Sequence, residues 1–213
     1  MVRLWCPSHI HLAALDEDII VLDVAADRYS CLLEANAHLS FGPAGAILAA
    51  DEEVAESLLG ASLASRSPCK LTRPAIIPAR REVTPSATPT RSDVLRAAIV
   101  LLTATLAFRR KSFSELLRPP AFSAHASEGA DAAALGLLLG AARTARPWVP
   151  NEGECLQRAY LLRAFLAGRG VRTDWIFGVR TWPFSAHCWL QIGDLVVGDR
   201  LDRVNRYTPI MRA

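Results

Sequence analysis

Residues 151–170 read NEGECLQRAYLLRAFLAGRG and predict a mostly buried helix with a cysteine in its first turn. Asn151 can serve as the N-cap, and Glu154, three residues later, can complete a capping box. Apolar side chains follow on most sides of the helix, which is typical of a segment packed in a core. Gly168 and Gly170 then signal the end of the helix. The stretch therefore holds a cysteine at the amino-terminal end of a core helix.

Cys155 would lie where the N–H groups of a helix point outward and the helix dipole favours negative charge. This environment lowers the pKa of a thiol and favours the thiolate, which is the nucleophilic form. The alternative is a small apolar residue in a core helix, which is the commoner role of a single cysteine. Partner residues elsewhere in the chain decide between the two.

Strands follow this helix. Residues 171–177 predict one strand, and residues 185–192 predict a second with clean alternation. Residues 193–194 predict a turn, and residues 195–197 predict the returning strand. One face of the second strand carries Ala186, Cys188, Leu190 and Ile192, and the other carries His187, Trp189 and Gln191. We therefore expect Cys188 to face a core and His187 to line a cleft.

Cys155, His187 and Asp199 follow one another as helix, strand and following strand, which is the arrangement of papain-like and transglutaminase-like enzymes. In such enzymes the thiolate attacks a carbonyl carbon. The imidazole holds the thiolate as an ion pair and later protonates the leaving amine, while the carboxylate orients the imidazole. We predict no metal and no cofactor. Considered alone, His187 would more often be a hydrogen-bonded structural residue, so the prediction requires the three side chains to meet.

The register of the hairpin decides whether the Asp199 side chain can reach His187. A simple two-residue turn would place Arg200 opposite His187 and leave Asp199 on the other face of the sheet. A triad therefore requires a longer loop or a bulge between residues 193 and 199, for which Gly198 is the natural place. The rival acids are Asp194, in the turn, and Asp202.

Charge divides the 213 residues into two parts. Residues 1–66 hold 3 Arg, no Lys and 10 Asp or Glu, a net charge of −7, whereas residues 67–213 carry a net charge of +10. This asymmetry predicts two units with different partners. We expect a first domain at 1–66, a Pro-rich linker at 67–92 and a second domain at 93–213. The basic residues are scattered rather than clustered, which disfavours nucleic acid as a partner.

Residues 9–33 predict three short strands separated by acidic turns, followed by short helices at residues 45–50 and 51–60. The first domain is therefore a three-stranded meander with helices, and the whole chain is an α+β protein. The pattern D-x-D-I-I-V-L-D-x-x-x-x-x-Y-S-C-L at residues 16–32 resembles the winged-helix-like leader-recognition domains of pathways for ribosomally made, modified peptides.

That resemblance implies that a leader peptide adds as an extra strand along the third strand of the meander. The implied leader-binding residues are Tyr29, Ser30, Cys31, Leu32 and Leu33. A small scaffold domain without a ligand is the alternative.

The middle of the chain predicts a helical platform. Residues 67–92 contain five prolines and predict an extended linker. Helices are expected at residues 94–108, at residues 112–117 and from Asp131 to about residue 143. The apolar run within the first of these is too short to cross a bilayer, which needs about 20 residues, so we interpret it as a core helix. The basic residues behind it leave open a helix lying on a membrane surface.

The compartment is predicted from the cysteines and the amino terminus. Five cysteines occur without a C-x-x-C pair, which disfavours a disulfide framework or a zinc site and fits a reducing cytoplasm. The first residues, MVRLWCPSHI, contain no apolar core of the length that a secretory signal needs. We therefore expect a cytoplasmic protein.

Four motifs together resemble the lasso-peptide maturation B proteins. They are C-L-x-R-A-x-x-L at 155–162, A-H-C-W-L at 186–190, V-V-G-D at 196–199 and R-Y-T-P-I at 206–210. The resemblance implies a transglutaminase-fold cysteine protease, with a helical part and an antiparallel sheet, behind a leader-recognition domain. It implies that Cys155 is the nucleophile, His187 the base and Asp199 its orienting acid.

The implied substrate is a lasso precursor peptide whose leader is removed, and the implied partner is an asparagine-synthetase-like cyclase that closes the ring. Cys188 departs from the small or apolar residues expected at its position, and we expect no effect of it on the chemistry. The backbone N–H of Cys155 is a candidate oxyanion donor. The alternatives are a non-catalytic peptide chaperone with a transglutaminase-like shell, and an amidase or transglutaminase acting on Gln side chains.

Overall fold

A computed structural model of the chain describes residues 1–42, 45–68, 73–84, 88–120, 132–149 and 153–213. The protein is of the α+β class. It divides into two compact units, one made of residues 1–75, 179–185 and 208–212 and the other of 76–178, 186–207 and Ala213.

The first unit contains two small antiparallel sheets and one α-helix within the described residues. Its elements are β1 (Val2–Trp5), β2 (Ile10–Leu15), β3 (Asp18–Asp23), β4 (Arg28–Leu32), β5 (Leu39–Phe41), β6 (Ala46–Ala49) and α1 (Glu52–Gly60). Strands β2, β3 and β4 pair in that order, which confirms the predicted three-stranded antiparallel meander. The second sheet, in the order β1-β6-β5, was not predicted.

The helix predicted at residues 45–50 is wrong, because Ala46–Ala49 forms β6 between two antiparallel neighbours. A run of four apolar residues is too short to show a helical or an extended period, so tertiary pairing decides its structure. The helix after it begins as predicted. Oδ1 of Asp51 accepts a hydrogen bond from the Val54 N–H at 2.9 Å, which caps α1.

The second unit contains most of the remaining elements, but residues 179–185 and 208–212 belong to the first unit. The remaining elements of the chain are β7 (Arg81–Glu82), α2 (Arg91–Phe108), α3 (Phe113–Leu116), α4 (Ala132–Ala145), α5 (Cys155–Ala167), β8 (Asp174–Arg180), β9 (Ser185–Ile192), β10 (Leu195–Val197), α6 (Leu201–Val204) and β11 (Thr208–Arg212). Five strands pair in the order β11-β8-β9-β10-β7. The sheet is mixed rather than wholly antiparallel as predicted, because β10 pairs with β7 in parallel.

Part of the Pro-rich segment is bound to this sheet rather than extended as a free linker. Strand β7 lies at the sheet edge, and the carbonyl oxygen of Ile77 accepts a hydrogen bond from Nε2 of Gln191 at 2.7 Å. Residues 69–72 and 85–87 of the segment lie outside the described part of the chain. Short strands of this kind form only when a distant partner is present, so local sequence gives no signal for them.

Helix α2 packs against α4 and α5 and forms the helical layer of the second unit. A capping box between Thr90 and Asp93 starts α2, slightly earlier than predicted. One face of α2 is buried, but the opposite face exposes Leu95, Ile99, Leu102 and Leu106. Asp131, the predicted start of the next helix, lies outside the described residues. Within the described ranges, no helix combines the length and the apolar character that crossing a membrane requires.

Candidate active site

Cys155 is the first residue of α5, and its side chain is partly exposed. The N-cap position belongs to Glu154, whose side chain makes no capping hydrogen bond. The helix thus begins later than predicted, and the predicted cap Asn151 lies outside the described residues. The first N–H groups of a helix have no partner within it, so the amino end of α5 favours a negatively charged sulfur.

His187 lies in the middle of β9 with 5% of its surface exposed. Its Nε2 lies 2.7 Å from Oδ2 of Asp199. The rings of Trp189 and Tyr207 pack beside the imidazole, with ring centroids 6.1 and 5.1 Å away. His187 also makes a side-chain hydrogen bond with Cys155. Because the carboxylate occupies Nε2, Nδ1 is the ring nitrogen that serves the thiol.

Asp199 reaches His187 because the returning strand breaks just before it. Strands β9 and β10 pair as a simple two-residue hairpin up to Val197. Gly198 then takes a φ of +77°, in the left-handed region that favours glycine. The irregularity predicted between residues 193 and 199 thus lies at Gly198, and it turns Asp199 toward the imidazole.

The Asp199 carboxylate is held from more than one side. Oδ2 meets His187, while Oδ1 accepts the Arg200 backbone N–H at 2.8 Å and lies 4.0 Å from the Arg203 guanidinium. Burial opposes the charge of Asp199, but the hydrogen bonds with His187 and Arg200 outweigh it and lower the pKa of the carboxyl. Asp199 is therefore a fixed anion that orients the imidazole.

The rival acids are engaged elsewhere. Asp194, in the hairpin turn, forms an ion pair with Arg81 at 2.5 Å. Asp202 forms an exposed ion pair with Arg200 at 2.8 Å. Of the three carboxylates, Asp199 is the one that contacts His187.

Gly198→Ala tests the backbone break. A Cβ at this position would overlap Cδ2 of Leu162 and would sit on a left-handed residue. We expect a loss of about 2–4 kcal/mol in the free energy of unfolding, measured by urea titration, and at least a tenfold loss of activity. Gly193→Ala is the matched control, since its φ is +58° but its Cβ would meet open space, so only about 1 kcal/mol should be lost. Equal losses of stability and activity in the two variants would contradict the placement of the backbone break at Gly198.

The charges of Cys155 and His187 favour a thiolate–imidazolium pair. The pKa of Cys155 is lowered to about 4, and a hydrogen bond from the Cys188 thiol contributes most to this lowering. Burial raises the pKa, whereas His187 and the Cys188 backbone N–H lower it further. Burial lowers the pKa of His187, but Asp199 and Cys155 together outweigh it and raise that pKa to about 8. The ion pair therefore exists between about pH 4 and pH 8. Below this window the sulfur is protonated, and above it the ring loses the proton needed by a leaving amine.

Cys188 is buried in the core as predicted, but the expectation that it has no effect on the chemistry is corrected by its contact with Cys155. It is 4% exposed, yet both its thiol and its backbone N–H reach Cys155. The hydrogen bond to Cys155, followed by burial, raises the pKa of the Cys188 thiol far above its usual value, so it remains a donor.

Cys188→Ala should raise the pKa of Cys155, because it removes the thiol donor and keeps the backbone N–H. A hydrogen bond to a charged group contributes about 1.5–3 kcal/mol, and we expect a rise of at least about one unit for this sulfur donor. The pH dependence of Cys155 alkylation measures the shift. Cys6→Ala is the matched control, since Cys6 is also buried but belongs to the first unit. An unchanged pKa in Cys188→Ala would show that the Cys188 thiol plays no part.

The three side chains line one cleft of about 400 Å³ in the second unit. Its walls come from α2, α4, α5 and strands β9 and β10, and residues 82–84 of the Pro-rich segment also line it. The size suits a few side chains of a peptide beside the reacting bond. In the described part of the chain, no group of three or more His, Cys, Asp and Glu side chains is placed to hold a metal ion.

Residues 98–212 match the Transglutaminase-like superfamily. The chain belongs to the transglutaminase-like superfamily. The match spans more than half of the chain and includes Cys155, His187 and Asp199. It agrees with the mixed α+β architecture of the second unit.

One similar protein among the curated proteins is named for the processing of microcin J25. The Microcin J25-processing protein McjB of Escherichia coli is 35% identical to the transglutaminase-like chain over 48 residues, which are 22% of this chain and 23% of McjB. The match thus spans less than a quarter of the relative. No solved structure gives a significant match.

The residues predicted to bind a leader lie in the first unit. Tyr29, Ser30, Cys31 and Leu32 are in β4, and Leu33 follows the end of the strand. Strand β4 is the last strand in the order β2-β3-β4. The Tyr29 ring packs against Phe184 at 5.6 Å between centroids.

The sequence analysis missed two further features of the site, the contact of Cys188 with Cys155 and the packing of Tyr207 on His187. Trp189 packs beside the imidazole from the same face of β9, as the alternation predicted. The packing of Tyr207 on His187 could not be predicted, because it depends on how residues 201–207 return to the sheet.

Proposed function

We propose that the chain is a cysteine endopeptidase that binds a lasso precursor peptide and removes its leader. The core peptide would then present a free amino terminus for macrocyclisation by an asparagine-synthetase-like partner enzyme. The observation that carries the proposal is the His187 imidazole, hydrogen-bonded to Asp199 and to Cys155 in the lining of one cleft.

The geometry supports acyl transfer. The Cys155 thiolate attacks the carbonyl carbon at the leader–core junction, and the bond to nitrogen breaks as the His187 imidazolium donates its proton to the leaving amine. Water, deprotonated by the now neutral imidazole, hydrolyses the thioester and releases the leader. The Cys155 backbone N–H, at the first position of α5, is a natural donor to the oxyanion.

Leader capture is proposed for the edge of β4. A strand at the end of a sheet can take an extended peptide as a further antiparallel or parallel strand. The acidic composition of residues 1–66 favours a leader that carries Lys or Arg. Holding the leader on the same chain as Cys155 raises the effective concentration of the scissile bond at the cleft.

The similarity to McjB adds to this proposal, because that protein is named for processing microcin J25. The similarity covers 48 residues, which are 22% of this chain.

Incubating the purified chain with a lasso precursor peptide and measuring peptide masses tests the proposal. We expect two products whose masses sum to the precursor plus one water, with the cut at the leader–core junction. Loss of ammonia from Gln would instead favour an amidase or transglutaminase. A precursor that binds and stays intact would favour the non-catalytic chaperone, and either result would overturn the peptidase.

A further inference from the structure

Among the described residues, the lining of the cleft that contains Cys155 holds more arginines than carboxylates. Five arginines line it from separate parts of the fold: Arg143 in α4, Arg146 in the turn after α4, Arg158 in α5, and Arg200 and Arg203 after β10. The carboxylates that line it in the described part of the chain are Glu82 and Asp199. Arginines that converge from several elements give the cleft a positive field that one local cluster would not.

Both carboxylates already serve other groups. Glu82 accepts the Leu201 backbone N–H at 2.5 Å, and Asp199 holds His187. Among the described residues, the lining thus holds five guanidinium groups and two carboxylates, and the His187 imidazolium adds a further positive charge.

The arginine side chains are accessible from solvent. Arg143, Arg158, Arg200 and Arg203 are exposed, although they line the cleft. Arg200 is 76% exposed in its pair with Asp202, and the Arg203 guanidinium lies 4.0 Å from Asp199. The exposed Arg200–Asp202 pair contributes little to stability, so a ligand carboxylate can compete for the Arg200 guanidinium.

Apolar side chains form the remainder of the lining, among them Leu139, Val149, Leu162 and Val197. A complementary ligand would place apolar groups against these side chains and acidic groups at the arginine rim. Guanidinium groups present paired N–H donors that match a carboxylate in geometry as well as charge.

We propose that this cleft selects peptides that carry Asp or Glu side chains within a few residues of the scissile bond. The proposal rests on the peptidase function proposed above and specifies the substrate of the same site. The specificity-determining residues that we select for testing are Arg143 and Arg200. In sequence, Arg143 precedes α5 and Arg200 follows β10, and both line the cleft.

Arginines near a thiolate can also act by stabilising its charge, so the test must separate binding from chemistry. An arginine that binds a substrate carboxylate changes KM for acidic peptides and leaves amide peptides unaffected. An arginine that only stabilises the thiolate changes kcat and the acid limb of the pH profile for every peptide alike.

The experiment uses synthetic peptides that span the leader–core junction, one with Asp and Glu and one with Asn and Gln at the same positions. With the full chain we expect about a tenfold higher kcat/KM for the acidic peptide, mostly through KM, and a smaller preference at high salt. The Arg143→Gln, Arg200→Gln double variant should lose the preference. Arg206→Gln is the matched control, because Arg206 is also exposed in the same segment as Arg200 but does not line the cleft, and it should keep the preference.

Equal kcat/KM for the two peptides in the unaltered chain would overturn the proposal, as would a preference that survives the double variant. A binding measurement keeps this result separate from the peptidase function. The Cys155→Ala chain should bind a fluorescent acidic peptide about tenfold more tightly than its amide counterpart. If neither peptide is cleaved but the acidic one binds more tightly, the peptidase proposal fails and the acidic preference stands. If both peptides are cleaved and bound equally well, the peptidase proposal stands and the acidic preference fails.

Discussion

Cys155→Ala should abolish leader removal and leave leader binding intact. Without the sulfur no thioester forms, and losing the nucleophile of a cooperating triad costs at least about three orders of magnitude in kcat. Precursor turnover, followed by mass, measures the first effect. Fluorescence anisotropy with a labelled leader peptide measures the second, because the proposed leader edge lies in β4 of the first unit.

Cys155→Ser refines this experiment. A serine hydroxyl keeps the shape of the site, but it does not become an anion at neutral pH, so activity should fall almost as far as in Cys155→Ala. Full turnover of the precursor by either variant would show that the cleft does not perform the chemistry. Loss of leader binding in Cys155→Ala would show instead that the variant has lost its fold.

Asp199→Asn should lower kcat by about two to four orders of magnitude with little change in KM. The Asn side chain is neutral, so it no longer offers an anionic oxygen to the Nε2–H group of His187. The imidazole therefore loses both its fixed orientation and the negative charge that favours the imidazolium. Because Asp199 helps to raise the pKa of His187 to about 8, its removal should lower that pKa, and the basic limb of kcat should move to lower pH.

The matched control is Asp202→Asn, because Asp202 lies three residues further along and pairs with Arg200 on the surface. It should retain most of the activity and an unchanged basic limb. A deep loss in Asp202→Asn together with a mild one in Asp199→Asn would transfer the orienting role to Asp202.

The hairpin that supports the site could be predicted from sequence because its signals are local. The spans Ser185–Ile192 and Leu195–Val197 agree with the predicted strands, and the irregularity required before Asp199 falls at the one glycine suited to it. Alternation, a Gly-containing turn and a left-handed glycine each act within a few residues, so they can be recognised without knowing the rest of the fold.

Other features depend on partners distant in the chain. Cys188 was assigned to an inert core because alternation identifies opposite faces but not what each face packs against. Strand β7 inside a Pro-rich segment, β6 in place of a helix, and β11 in the tail each form by pairing with residues far away in sequence. Propensity over so few residues is weaker than tertiary pairing.

The most direct test of the account is the rate at which iodoacetamide alkylates Cys155 as a function of pH, read at each cysteine by mass spectrometry. With the pKa of Cys155 lowered to about 4, the rate should be near its plateau at pH 6, and His187→Ala should move the midpoint upward. Cys31 provides an internal control, because burial and Asp18 raise the pKa of this thiol and it should react only at alkaline pH. The thiolate–imidazolium pair would be contradicted if the alkylation rate of Cys155 rose only at alkaline pH, as that of Cys31 does, and if His187→Ala left this pH dependence unchanged.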